Sequence, residues 1–153
     1  MGEHRPTEAG EPNPQELLGS LPLRLSDLGQ LVRNLIEQEL ASREISLLEL
    51  RVLAICAMHP GITAVGVSGI VESGAYTISR VVQSLFQKGL LSRRRSRNDR
   101  REVRLRATRD GLALLRECQS QLEHPLAELL RPLSETQERS LAHIVETLLS
   151  AHL

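Results

Sequence analysis

Residues 93–109 read RRRSRNDRREVRLRATR. Nine of the chain's 19 Lys+Arg lie in this stretch against only Asp99 and Glu102, a local net of +7 inside a chain whose formal net charge is +0. Its second half alternates: Val103 and Leu105 point one way, and Glu102, Arg104 and Arg106 the other, which is the period of a half-buried strand. Residues 90–95 and 102–107 therefore read as two strands. They flank a tip, Ser96-Arg97-Asn98-Asp99-Arg100-Arg101, rich in turn formers. The result is a β-hairpin with an arginine-studded tip. All of this charge is guanidinium, which suits phosphate and groove edges better than ammonium does, and Lys88 is the only lysine in the chain.

Upstream of the hairpin the helix signals are local and strong. Ser46 and Glu49 form a capping box, with Ile45 and Leu50 as its hydrophobic staple, so a helix starts at residue 46. Leu50, Leu53, Ala54 and Ala57 are its expected buried face, and His59-Pro60-Gly61 ends it. Thr63 caps a second, short helix reaching Glu72, although Gly66 and Gly69 each cost it about 1 kcal/mol relative to Ala. Ser73-Gly74 makes a turn. Residues 75–88 form a third helix with Ile78, Val81, Val82 and Leu85 inward, and Gly89 stops it.

The outward side of that third helix carries Tyr76, Thr77, Ser79, Arg80, Gln83 and Gln87, and Ser84 is counted with them as a candidate DNA contact. These polar groups can hydrogen-bond base edges and phosphates, and none is acidic. Any exposed helix face is polar, so the order of elements carries more weight. A capped helix, a short helix, a turn, a helix and a basic hairpin together place one helix in a major groove and an arginine tip beside it.

Residues 63–111 resemble, without a gap, the winged helix of the MarR family of transcriptional regulators. The resemblance is carried by Thr63, Thr77, Ser79-Arg80, Leu85, Gly89-Leu90, Arg93-Arg94, the tip Asp99-Arg100-Arg101, Val103, and Thr108 with Gly111 opening the next helix. It implies a two-fold dimer that binds operator DNA, most often as a repressor, with affinity altered by a small ligand held between the winged helix and the dimer helices. The chain departs from the family pattern at Gly66, Gly69 and Ala107. It also has Arg95 and Arg97 where proline is common, which adds charge to the wing and implies stronger nonspecific DNA affinity.

The remainder frames this core. Residues 1–13 are rich in Gly, Pro and Glu and read as a mobile arm. Asn13-Pro14-Gln15-Glu16 starts a helix, and Leu25, Leu28, Val32, Leu35 and Ile36 make a wide apolar stripe after Pro22. Beyond Thr108 a stripe of Leu112, Leu115, Cys118 or Gln119, and Leu122 is expected to break or kink at Pro125. Ser134-Glu135-Thr136-Gln137 is a second capping box ahead of a helix bearing Leu141, Ile144, Val145, Leu148 and Leu149 on one face. The organisation is thus an arm at 1–13, dimerisation helices at 14–44 and 112–153, and a DNA-binding winged helix-turn-helix at 45–111. The fold class is mainly α with a small β-hairpin wing.

Composition bounds the chemistry. With 153 residues, 41% hydrophobic and 1% aromatic, the core must be aliphatic, which favours packed helices. No run of about 18 apolar residues appears, so a cytoplasmic protein without a membrane partner is expected. Cys56 and Cys118 lack a CxxC spacing, and the five histidines show no HxxxH or HExxH arrangement, so neither a metal nor another cofactor is expected. The two cysteines are candidates for redox sensing, set against the plainer reading of inert core thiols. No nucleophile-base constellation or phosphate-cradling loop points to an enzyme.

Two functions compete: a homodimeric regulator reading a palindromic operator, and a winged helix that docks protein partners. The arginine tip favours DNA, since protein-binding surfaces are depleted in charge at their centre. Within the tip, Asp99 is expected to fix Arg101 for entry into a minor groove. Arg93, Arg94, Arg95, Arg97 and Arg100 complete the wing's DNA-binding set, and those near the strands meet phosphates.

Overall fold

The computed structural model describes residues 14–95 and 102–152. The expected arm at 1–13 and the hairpin tip at 96–101 lie outside the described residues. The chain divides into two units, Met1–Asn34 and Leu35–Leu153.

The first unit holds α1 (Pro14–Leu18) and most of α2 (Leu21–Leu40). Pro14 opens α1 as expected, and the Gly19 and Ser20 amides close it on the carbonyls of Gln15 and Leu17. Leu17, Leu18, Leu21, Leu25, Leu28 and Leu31 are all exposed. Of the apolar stripe read from the sequence, Leu25 and Leu28 are thus exposed, whereas Val32, Leu35 and Ile36 are half-buried, Ile36 against the core.

The second unit begins in the last turns of α2, passes through a 3-10 turn (Ala41–Arg43), and continues as α3 (Leu47–Met58), β1 (Ile62–Thr63), α4 (Ala64–Val71) and α5 (Ala75–Gln87). It ends with β2 (Leu91–Arg95), β3 (Val103–Ala107), α6 (Arg109–Leu130) and α7 (Glu135–His152). The capping box is formed: Ser46 Oγ accepts from the Glu49 amide at 3.2 Å, and Glu49 Oε2 accepts from the Ser46 amide at 2.8 Å. Thr63 Oγ1 caps α4 by accepting from the Gly66 amide at 3.1 Å. After α5, Gly89 sits at φ +72°, its amide bonded to the Phe86 carbonyl and the Leu90 amide to the Leu85 carbonyl. That is a Schellman stop, which needs a residue free to adopt positive φ.

The core joins Val52, Leu53 and Cys56 of α3 to Val67 and Val71 of α4, to Ile78, Val82 and Leu85 of α5, and to Leu91, Leu105 and Cys118. The expected buried face of α3 is therefore shifted. Leu53 is buried as expected, but Val52 and Cys56 are the fully buried neighbours, while Leu50, Ala54 and Ala57 are only partly covered. The helix LLELRVLAICAM is apolar on nearly every side, so periodicity alone could not orient it. On α5, whose polar and apolar residues separate cleanly, the expected inward set holds, with Val81 at its margin.

The expected hairpin is present, with Arg93 opposite Leu105 and Arg95 opposite Val103. The sequence reading lacked a third strand: β1 pairs antiparallel with β3 through Ile62 and Leu105, giving the order β1-β3-β2. β3 is thus central, and Leu105 is buried whereas Val103, farther out along the wing, is 40% exposed.

No break occurs at Pro125, and the inward face of α6 is shifted from the expected stripe. Helix α6 runs unbroken through Pro125 to Leu130. Proline there removes one hydrogen bond and costs about 3 kcal/mol, but the helix formers Leu126 to Leu130 carry the helix onward, and it stops at Arg131, just before Pro132. Its inward residues are Leu114, Leu115 and Cys118, while Leu112 is exposed. The second capping box is present, with Ser134 and Gln137 bonded reciprocally. Ile144, Val145 and Leu149 of α7 are exposed.

Candidate nucleic-acid interface

The α4–α5 turn sets the geometry of the site. Glu72 ends α4 in the left-handed region (φ 52°), and Ser68 Oγ donates to the Ser73 carbonyl at 2.5 Å, pinning the three-residue turn Glu72-Ser73-Gly74. Helix α5 then begins with Gly74 as its N-cap, with no side chain capping its amides and no acid in its first turn. Such an end presents partial positive charge outward, as a phosphate contact requires.

From this helix Tyr76, Thr77, Ser79, Arg80, Gln83 and Gln87 all project as exposed side chains. Ser79, Arg80, Gln83, Ser84 and Gln87 line one open depression. The Arg80 guanidinium lies 6.0 Å from the ring centroid of Tyr76, which is itself 76% exposed. Ser84 differs from the rest of the set: its hydroxyl donates to Glu49 Oε1 at 2.6 Å, so it is turned toward α3.

The wing strands bring the second part of the site. Arg93, Arg94 and Arg95 are exposed on β2, and by register Arg93 and Arg95 share the face of Leu91 and Leu105, while Arg94 shares the other face with Arg104 and Arg106. The Arg93 guanidinium lies 4.7 Å from the Phe86 ring centroid, tying the strand to the last turn of α5 by a cation–π contact. Arg104 also pairs with Glu102 at 3.1 Å. Arg97, Asp99, Arg100 and Arg101, with the expected Asp99–Arg101 pairing, lie outside the described residues.

Sequence reasoning missed the group behind α5. Glu49, 8% exposed, accepts from Ser84 Oγ and, at 2.9 Å, from Lys88 Nζ. Burial pushes this carboxyl up, but the Ser46 amide, the Ser84 hydroxyl and the Lys88 ammonium outweigh it and hold it below its ordinary value. The chain's single lysine was the available signal.

Cys56 and Cys118 are both essentially fully buried. Burial alone pushes the Cys56 thiol up to about 11, and burial also raises Cys118, against the opposing effect of Arg43, which is ion-paired with Glu117. Protonated, covered thiols are poor nucleophiles, which favours the reading as core residues. Among the described residues no group of three or more His, Cys, Asp or Glu could hold a metal, and no helix is long and apolar enough to cross a membrane.

No curated protein matches the chain. Solved structures do. It is similar to a mutant of MarR from E. coli, with a TM-score of 0.76 and 21% identity over 85% of this chain and 96% of that one. It is also similar to a mutant of the same protein complexed with operator DNA, with a TM-score of 0.74 and 21% identity over 90% and 99%. A MarR family protein of Mycobacterium tuberculosis in complex with salicylic acid has a TM-score of 0.70 and 21% identity over 84% and 96%. These likenesses establish the fold. The sequence model of the MarR family matches residues 45–103, from the residue before the α3 cap to the first residue of β3. The chain thus carries a MarR family domain at residues 45–103, built as a winged helix-turn-helix.

Proposed function

We propose that the protein is a sequence-specific, double-stranded DNA-binding transcriptional regulator that acts as a homodimer and represses the genes it controls. The observation that carries this reading is the combination of an acid-free polar face on α5, with an uncapped N-terminus, and a wing of guanidinium groups beside it. Base edges in a major groove are read by side chains such as Arg80 and Gln83, and phosphates are met by Arg93, Arg94 and Arg95. The wing-tip residues Arg97, Asp99, Arg100 and Arg101, read from the sequence alone, complete the proposed DNA-binding set.

The dimer is supported by the exposed leucines of α1 and α2 and by the exposed apolar residues of α7, which together leave more apolar surface open than a stable monomer favours. Two-fold symmetry then sets the operator as a palindrome with half-sites about 10 bp apart or a multiple of it. A small ligand modulates binding, as the salicylic acid complex of a protein of the same fold suggests.

Selection of duplexes from a random pool by the purified protein, followed by footprinting at fixed salt, tests the reading. A palindromic footprint is the expected result. A protein that sediments as a monomer at micromolar concentration, or that holds all duplexes equally, defeats it; capture of protein partners in place of DNA would favour a winged helix used as a docking module.

A further inference from the structure

Glu49 is the charged side chain buried in the core of the described residues. Its capping box accounts for one oxygen, Oε2 on the Ser46 amide. The other oxygen reaches across to α5, where it accepts from Ser84 Oγ at 2.6 Å and Lys88 Nζ at 2.9 Å. The same ammonium donates to the Glu44 carbonyl at 2.5 Å. Glu44 ends the 3-10 turn in the left-handed region, φ 51°, a conformation that a residue with a Cβ holds only when its surroundings enforce it.

One cation therefore fastens three points: the backbone just ahead of α3, the first turn of α3, and the C-cap of α5. Ser84 and Lys88 are four residues apart and so lie one above the other on a single flank of α5. Arg80, Gln83 and Gln87 stand exposed beside that flank. A helix with its side chains is about 10–12 Å across, so rotating α5 by about 20° carries a side-chain end about 2 Å. That exceeds the tolerance of a hydrogen bond to a base edge, whereas a long arginine meeting a phosphate adjusts to it.

We infer that Glu49 and Lys88 are positioning residues for base readout: gripping α5 from behind at Ser84 and Lys88, they set the rotation of the helix and thereby the sequence discrimination of Arg80 and Gln83. Lys88 acts here through Glu49 and Glu44 rather than through DNA. The inference rests on the DNA-binding reading above.

The test compares wild type with Lys88→Met, Lys88→Arg and the double variant Glu49→Gln/Lys88→Met, each checked for folding by circular dichroism. Affinity is measured for the duplex that wild type selects and for a scrambled duplex of equal length, at three salt concentrations. Lys88→Met is expected to lower the ratio of the two affinities about tenfold while leaving scrambled-duplex binding within about twofold, and Lys88→Arg to recover part of the ratio. The double variant leaves no unpaired buried charge and carries the test should Lys88→Met fail to fold. It is expected to melt near wild type and still to discriminate poorly.

Equal losses on both duplexes would make Lys88 a phosphate contact or a purely structural residue and overturn the inference, as would a double variant with wild-type discrimination. A wild-type protein with no preference between the duplexes overturns the DNA-binding reading itself, and this inference with it.

Discussion

Gly111 and Leu90 approach so closely that a Cβ at position 111 would stand 2.3 Å from the Leu90 carbonyl oxygen and 3.0 Å from Leu53 Cδ1. The same carbonyl accepts from the Thr108 amide at 3.0 Å, and Thr108 Oγ1 in turn caps α6 by accepting from the Gly111 amide at 3.1 Å. The Thr-x-x-Gly start of α6 is thus the joint where the end of α5, the base of β3 and the new helix meet.

Gly111→Ala should therefore destabilise the protein by about 2 kcal/mol or more, since the obstructing atom is backbone and overpacking typically costs 1–3 kcal/mol. Gly69→Ala is its control. That glycine lies inside α4 with open space around its Cβ position, so alanine should stabilise by up to about 1 kcal/mol. Urea unfolding of both variants checks the opposite signs.

Arg80→Ala and Gln83→Ala should each weaken operator binding by about 1–3 kcal/mol and relax the preference at particular base pairs. Binding to a panel of single-substitution duplexes measures this. An equal loss on every duplex would assign the two side chains to phosphates.

Neither Cys56 nor Cys118 should react with a thiol reagent at neutral pH while the protein is folded, because both thiols are covered and burial keeps them protonated. Both should react once the chain is unfolded in denaturant. Rapid native labelling of either would revive the redox reading.

Glu49 predicts an acid limb in stability. Its carboxyl is held below the ordinary value of 4.5 in the folded protein, so it favours folding above that pH, and the contribution is lost as pH falls through the folded value. Glu49→Gln should accordingly be less stable than wild type near neutrality, with the difference shrinking on acidification below 4.5. Unfolding free energies of the pair across pH show whether it does.

The parts legible in the sequence were those decided by near neighbours. Ser46 with Glu49, Ser134 with Gln137 and Thr108 with Gly111 are contacts three residues apart, and each is present as read. The amphipathic face of α5 was legible because its polar and apolar residues alternate at helical spacing. What escaped depends on distant partners. Residues Ile62 and Thr63 are too few to announce a strand and become one only against β3, some forty positions on. Glu49 looked fully explained by its local cap, whereas its second oxygen meets Ser84 and Lys88, 35 and 39 residues away. Pro125 carried a local signal for a break or kink, and the helix continues through it to Leu130. Of the candidate site, the exposed set on α5 could be read from periodicity, but the inward turn of Ser84 could not.

Arg94 and Arg104 stand directly opposite each other across β2 and β3, on the sheet face that also bears Arg106. Like charges so placed destabilise a strand pair, and Glu102 neutralises only part of this group. The stem of the wing is therefore a small self-repelling polyelectrolyte that folding holds together against its own field. Added salt should tighten it in the free protein by screening, and so should any polyanion that lies along it. Ionic strength then acts on the free protein as well as on its complexes, and a salt slope measured for DNA binding would contain the relaxation of this stem along with the release of counterions from phosphate.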